Sequence, residues 1–285
     1  MIRNNPYQQK DGRLVGLVAT PIGNIEDITL RAINFLKNAD IIACEDTRNT
    51  SMLLTRLGIK PKKLVSLYAQ TELKESKRIV KELRESKETL AYCSDAGMPG
   101  ISDPGALLVQ TCYEEGVPVT ILPGPTASLC ALVLSGIDSA DFSFYGFLPT
   151  KAGQEKTFLS ELKNRKETLI FYESPKRIIK SLQLMKEVFG EEREASLVRE
   201  LTKIHEEVVK GTLKELTTTE IEEKGECIII VKGSDKTEEL SEDEILKLLK
   251  KGLSEGKSLS GLSKEIASQY HLSKNNVYKL GLSIK

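Results

Sequence analysis

The chain has 285 residues, with 41 lysines and arginines against 41 aspartates and glutamates, 40% hydrophobic residues and only 2 histidines. This length supports more than one compact core, the balanced charge gives no global attraction to nucleic acid or membrane, and the shortage of histidine argues against a Ser-His-Asp enzyme. Cys44, Cys93, Cys112, Cys130 and Cys227 form no C-x-x-C pair and lie in or near apolar runs, which argues against zinc or disulfides and fits reduced thiols in a cytoplasmic protein.

The opening MIRNNPYQQKDGR lacks an apolar leader, and no later run approaches the roughly 18 apolar residues of a membrane span, so a soluble protein with no membrane partner is expected. Short apolar runs predict strands at 14–19, 40–44, 63–66, 89–93 and 118–122. Amphipathic segments between them predict helices at 27–38, 50–57, 73–86 and 104–115, followed by a small-residue helix at 126–134. This alternation is the pattern of βα units around a mainly parallel sheet. A second, mixed α/β unit follows: strand 142–147, helix 154–164, strand 168–172, helix 176–189, strands 194–199 and 206–211, a short helix and strand 227–231.

The expected domains are therefore an α/β unit over 1–124, a second over 125–233, a charged linker at 234–240 and a helical tail over 241–285. In the tail, Lys250, Lys251, Lys257, Lys264, Lys274, Lys279 and Lys285 stand against Glu255 and Glu265. The spacing of Ile266, Ala267, His271, Leu272, Ser273, Val277 and Tyr278 is that of a helix-turn-helix. Nucleic-acid contact and simple packing on the body both fit such a tail.

Four loops leave the carboxyl ends of predicted parallel strands, the edge where open α/β sheets bind ligands. They read ATPIGN (19–24), EDTR (45–48), SDAGMPGISDPG (94–105) and PGPTA (123–127). Neither G-x-G-x-x-G nor G-x-x-x-x-G-K-[ST] occurs; GLSEGKS at 252–258 is one residue short of the latter and reads as a turn and N-cap. Asp95 and Asp103 would repel phosphates but suit cationic or hydroxyl groups. The loops thus fit a small ligand bearing an ammonium, a carboxylate and an adenine.

The runs VATPIGNIEDITLRA, CEDTRNT, YCSDAGMPGISDPG, LPGPTA, FYGFLP, FYESPKRI and RELTKIHEE, in this order, resemble the tetrapyrrole-methylase family, specifically its bacterial branch acting on the 2′-hydroxyl of a cytidine in 16S ribosomal RNA. The resemblance runs from Leu14 to the tail. It implies two α/β domains with the ligand cleft between them, S-adenosylmethionine as cofactor, a homodimer, and a decoding-centre cytidine of the small ribosomal subunit as substrate. It assigns Asp95, Ala96, Gly97 and Met98 to the methionine end of the cofactor, and Pro21 and Gly23 to the cofactor side of the first loop. Thr126 and Ala127 would approach the cofactor, with Tyr172 and Leu201 closing on adenosine. One departure is SLYAQTELKE, which keeps only Glu72 of the family's His- and Asn-containing run.

A ribose hydroxyl is a weak nucleophile and gains from a base or a cation, beyond what alignment with the methyl carbon supplies. Charged residues following the cleft-facing strands supply candidates: Glu45, Asp46, Arg48, Glu200, Lys203 and Glu206. Lys203 is expected as electrostatic helper or base, and Glu45 or Asp46 as the group orienting the nucleotide; for EDTR the alternative is a helix cap with a structural Arg48 pair. His205 reads as an ordinary histidine. Of Phe142, Phe144, Tyr145, Phe147, Phe171 and Tyr172, alternation makes most core, with Tyr172 singled out at a strand's carboxyl end. Two rivals stay open: a methyltransferase of the same fold acting on a tetrapyrrole precursor or protein side chain, against which TPIGN stands where tetrapyrrole methylases tend to show G-x-G-P-G, and a non-catalytic ligand sensor that binds DNA through the tail.

Overall fold

Strands β1 (Leu14–Val18), β2 (Ile41–Cys44), β3 (Leu64–Ser66), β4 (Thr89–Cys93) and β5 (Val119–Leu122) form an all-parallel sheet in the order β3-β2-β4-β1-β5. This computed structural model describes residues 3–8, 13–151, 153–235, 242–270 and 272–284; most of the linker expected at 234–240, and His271, lie outside them. Both faces of the sheet are covered, which is why its inner strands read as unbroken apolar runs. On one face Val18, Ile42 and Cys93 pack with Ala32 and Leu36 of α1 (Leu30–Asn38) and Leu54 of α2 (Thr47–Arg56). On the other, Val15, Leu17 and Tyr92 pack with Val80 and Leu83 of α3 (Glu72–Ser86) and Leu108 of α4 (Ala106–Glu115).

Helix starts differ from the sequence reading for local reasons. α1 begins three residues later than expected because the Thr29 side chain accepts from Ala32 N, with a separate 3-10 turn at Ile25–Asp27 capped by Asn24. α2 begins earlier because Asp46 caps it. α4 begins after Gly105, whose φ of +136° no β-carbon residue adopts readily.

Helix α5 (Ala127–Ser135) leads into a second sheet of β6 (Phe142–Phe147), β7 (Thr168–Glu173), β8 (Glu194–Arg199), β9 (Glu207–Thr212) and β10 (Cys227–Val231), ordered β6-β7-β10-β8-β9. Only the β6–β7 pair is parallel. Alternation sorts its side chains. Leu169, Phe171, Leu197 and Ile229 face α6 (Gln154–Leu162), α7 (Ile178–Phe189) and the short α8 (Leu213–Leu216), whereas Ile170, Val198, Ile228 and Ile230 face α5 and Ile22 of the first loop. The fold is thus α/β, in two sheet-based units, with a helical C-terminal region.

That region comprises α9 (Glu242–Ser254), α10 (Leu259–Gln269) and α11 (Lys274–Leu282), packed around Ile245, Leu249, Leu262, Ile266 and Val277. Ser258 caps α10 by accepting from Gly261 N, so GLSEGKS is a turn and N-cap. Among the described residues no helix is long and apolar enough to cross a membrane. All five cysteines are free, and burial pushes the Cys112 thiol up to about 12.

Candidate active site between the two sheets

All four carboxyl-edge loops reach one cavity of about 510 Å³, walled on the other side by the second sheet. The first sheet's loops contribute Ile22, Glu45, Asp95 to Met98, Ile101 to Asp103, Thr126 and Ala127; Phe147, Tyr172, Val198, Leu201 and the 225–228 segment face them. Of the residues singled out from sequence, the structure thus gathers Glu45, Asp95, Ala96, Gly97, Met98, Thr126, Ala127, Tyr172 and Leu201 in one lining. Pro21, Gly23, Asp46 and Lys203 stand outside it.

The third loop is held at both ends. Gly97 exchanges backbone hydrogen bonds with Thr20 at 2.9 and 3.1 Å and adopts φ +78°, a conformation that favours glycine. At the far end, the Glu72 carboxylate accepts from Gly105 N at 2.7 Å, Leu107 N at 2.9 Å and Leu108 N at 3.4 Å, so it occupies the positive end of α4. The one residue retained from the departing SLYAQTELKE run therefore anchors the cavity's main loop.

Among the described residues the lining carries five carboxylates, Glu45, Asp95, Asp103, Glu173 and Glu226, and no cationic side chain. Burial, then the charges of Asp103, Asp95 and Asp46, push the Glu45 carboxyl up; burial and Asp95 do the same to Asp103 against a hydrogen bond from Ser94. Asp95 is oriented by Asp46 N at 3.1 Å and the Asn49 amide at 2.7 Å. Glu173 is held from behind by Ser174 N and Ser181, both at 2.7 to 2.8 Å, beside Arg177. Burial pushes the Tyr172 phenol up, opposed by its hydrogen bond with Ser128. Such a site repels phosphates and suits a ligand with positive charge and an apolar ring, since Val198, Leu201 and Ile228 supply the opposite wall.

Asp46 instead serves α2. Its carboxylate accepts from Arg48 N at 2.8 Å and from the Arg48 side chain at 2.8 and 3.2 Å, and these bonds hold its pKa down to about 2. Lys203 lies one layer back, with Nζ 2.8 Å from Glu200 Oε1 and 3.2 Å from Glu226 Oε2. Burial works against its charge, yet these two acids outweigh burial and hold the ammonium above its ordinary pKa, so Lys203 is a fixed cation. Glu200 and Thr202 take φ of +51° and +63°, each at a cost of roughly 1 kcal/mol or more. The strained turn they make docks on the first loop: Asn24 N donates to Thr202 Oγ1 at 3.0 Å, and a β-carbon on Gly23 would meet Lys203 Cγ and Thr202 Oγ1 at 2.6 Å.

The sequence reading missed Ser174, Pro175, Val198 and the 225–228 segment as wall residues, and it named Phe147 only within a group of aromatics expected to be mostly core. Gly225, at φ +82° directly before an apolar strand, was the available signal, because glycine there lets Glu200 press against the backbone.

Two α/β units that meet over an acid-lined cavity, with glycine-rich loops at the parallel sheet's carboxyl edge, define a class. The chain belongs to the tetrapyrrole (corrin/porphyrin) methylase family, whose model matches residues 15–217. It is 47% identical over 231 residues to the ribosomal RNA small subunit methyltransferase I of Halalkalibacterium halodurans, covering 80% of this chain and 79% of the relative. Proteins of the same name from Vibrio cholerae (44%, 93% of each chain) and Haemophilus influenzae (41%, 94% and 95%) are also similar. In fold it resembles uroporphyrin-III-C-methyltransferase from Thermus thermophilus, with a TM-score of 0.55 at 19% identity, over 77% of this chain and 94% of that one.

Proposed function

We propose that the protein transfers a methyl group from S-adenosylmethionine to the 2′-hydroxyl of a decoding-centre cytidine in 16S ribosomal RNA of the small subunit. The observation that carries this reading is the cavity itself: Glu45, Asp95 and Asp103 gathered on the first sheet's carboxyl-edge loops, in a chain whose relatives are named small-subunit ribosomal RNA methyltransferases. The cofactor bears a sulfonium and an ammonium, which the acidic lining suits, and an adenosine, which the wall of Tyr172, Val198, Leu201 and Ile228 suits. Residues 95–98, Thr126 and Ala127 would hold its methionine end, with Pro21 and Gly23 acting through the first loop's contact with the Thr202 turn.

When bound, the cofactor supplies an activated methyl group and its own leaving group. Glu45 accepts the hydrogen bond of the acceptor hydroxyl and takes its proton as the new O–C bond forms; a carboxylate pushed up in pKa is the better acceptor for that proton. Lys203 acts indirectly, as the cation that keeps Glu200 and Glu226 in place behind the wall. A homodimer is part of the proposal, supported by Leu129, Val133 and Leu134, which α5 leaves exposed; Val133→Glu is expected to shift the mass measured by light scattering to that of one chain.

The deciding experiment offers labelled S-adenosylmethionine and small subunits from cells lacking this protein, with free ribosomal RNA, DNA and uroporphyrinogen in parallel. Label on subunits, with one cytidine linkage turned alkali-resistant, is the expected result. Label on uroporphyrinogen alone, or ligand-dependent DNA binding without turnover, would overturn it. Glu45→Gln is expected to lower the rate on subunits by roughly 10²-fold or more.

A further inference from the structure

Phe147 is an aromatic residue turned outward by a backbone irregularity. β6 is an edge strand paired only with β7, and Phe142, Ser143 and Phe144 lie in register with Thr168, Leu169 and Ile170 before the register slips and Phe147 pairs with Tyr172. The slip falls at Gly146, whose φ is +66° and whose missing β-carbon would meet nothing, so glycine is required there by the backbone and not by crowding. Strict alternation would put Phe147 on the face of Tyr145, which contacts Phe158 and Phe171 in the second sheet's outer core. The bulge places it instead with Phe144 and Tyr172, its ring centroid 5.5 Å from that of Tyr172, and leaves it 61% exposed.

Ile101, at the tip of the third loop, is 55% exposed. Together with Ser102 and residues 144–147 it lines a hollow of about 340 Å³, and Ile101, Ser102 and Phe147 line the main cavity as well, so the two spaces adjoin across a shared rim. One lip belongs to the first unit and the other to the second. None of the described residues lining the hollow is charged, whereas the adjoining cavity holds Glu45 and Asp103 and repels phosphates.

We propose that this hollow receives the nucleobase of the acceptor nucleotide, stacked on Phe147 and covered by Ile101, so that the sugar enters the cavity while the phosphates stay in solvent. This rests on the methyl-transfer reading above. Stacking on a protein ring offsets the loss of base stacking when a nucleotide is drawn out of RNA structure.

The test is a Phe147 series assayed with small subunits as substrate. Phe147→Ala and Phe147→Leu are expected to raise the KM for subunits by roughly 5- to 150-fold, the range of one lost base–aromatic stack, while Phe147→Tyr stays near wild type. S-adenosylmethionine affinity, measured by calorimetry, is expected to stay within about twofold throughout. Lost cofactor affinity with an unchanged subunit KM would assign Phe147 to the cofactor and overturn the proposal, as would a Leu variant indistinguishable from wild type. The chain contains no tryptophan, so Phe147→Trp adds a sole reporter: its emission should be quenched by a cytidine-containing single-stranded RNA in the presence of S-adenosylhomocysteine, but not by S-adenosylhomocysteine alone. If wild-type enzyme labels no subunits, the reaction assigned above fails, and this titration still decides the stacking site; no quenching at the highest RNA concentration overturns it.

Discussion

Replacing Glu72 by alanine removes the group that ties α3 to the start of α4. The residue is only 7% exposed, and its carboxylate accepts three backbone N–H groups, two of them at 2.7 and 2.9 Å. These two short bonds to a charged acceptor contribute about 1.5 kcal/mol each at the low end, giving a loss of about 3 kcal/mol. At about 2–4 °C per kcal/mol for a unit of this size, the Tm should fall by roughly 6–12 °C. Glu72→Gln keeps an acceptor oxygen and should lose about half as much. Calorimetry measures the shift, and hydrogen exchange over residues 100–110 should accelerate in the alanine variant, with weaker S-adenosylmethionine binding because the third loop loses its far anchor. A Tm within about 2 °C of wild type and unchanged exchange in that segment would refute the assignment of Glu72 as the anchor.

Gly23→Ala places a β-carbon 2.6 Å from Lys203 Cγ and Thr202 Oγ1, and overpacking of that kind costs about 1–3 kcal/mol; thermal melts should show the loss, and calorimetry a weaker cofactor affinity. Asp103→Asn should raise the Tm at neutral pH. The folded chain holds this carboxyl above its ordinary value through burial and Asp95, so its contribution to stability is complete below about pH 3.9 and declines as pH rises through the raised value. The Tm difference between Asn variant and wild type should therefore vanish in acid, while the variant binds S-adenosylmethionine more weakly. Lys203→Met leaves Glu200 and Glu226 without their shared cation and should lower the methylation rate by about tenfold or more with no new limb in the pH–rate profile, whereas Lys203→Arg should restore most of it; a methionine variant within a few-fold of wild type removes Lys203 from the mechanism.

The parallel sheet and its ligand edge were legible because period and punctuation are local: apolar runs of four to five residues, each followed by Gly or Pro or a capping Asp. Asp95 to Met98 were singled out by the resemblance, and the structure places them in the cavity lining. Of the wall from the second sheet only Tyr172 and Leu201 were singled out, since Val198 and Ile228 differ from their core neighbours only in which way an alternating strand faces. For EDTR the sequence already offered the helix cap and Arg48 pair that the structure shows, whereas Lys203 shows the limit for charged residues, since its ion pair needs Glu226, distant in the chain.

The glycine-rich loop also closes on itself short of its two anchors. Gly100 N donates to Pro104 O at 3.1 Å, and Gly105 lies against Gly100, so close that a β-carbon on Gly105 would sit 3.1 Å from Gly100 N. Residues 101–103 therefore form a tight turn slung between two glycines, tied to the 95–98 segment through Asp103, which accepts from Ser94 beside Asp95. Ile101 and Ser102 can thus be exchanged on that turn without undoing its closure, whereas Asp103 cannot lose its acceptor oxygens without disturbing the segment below it.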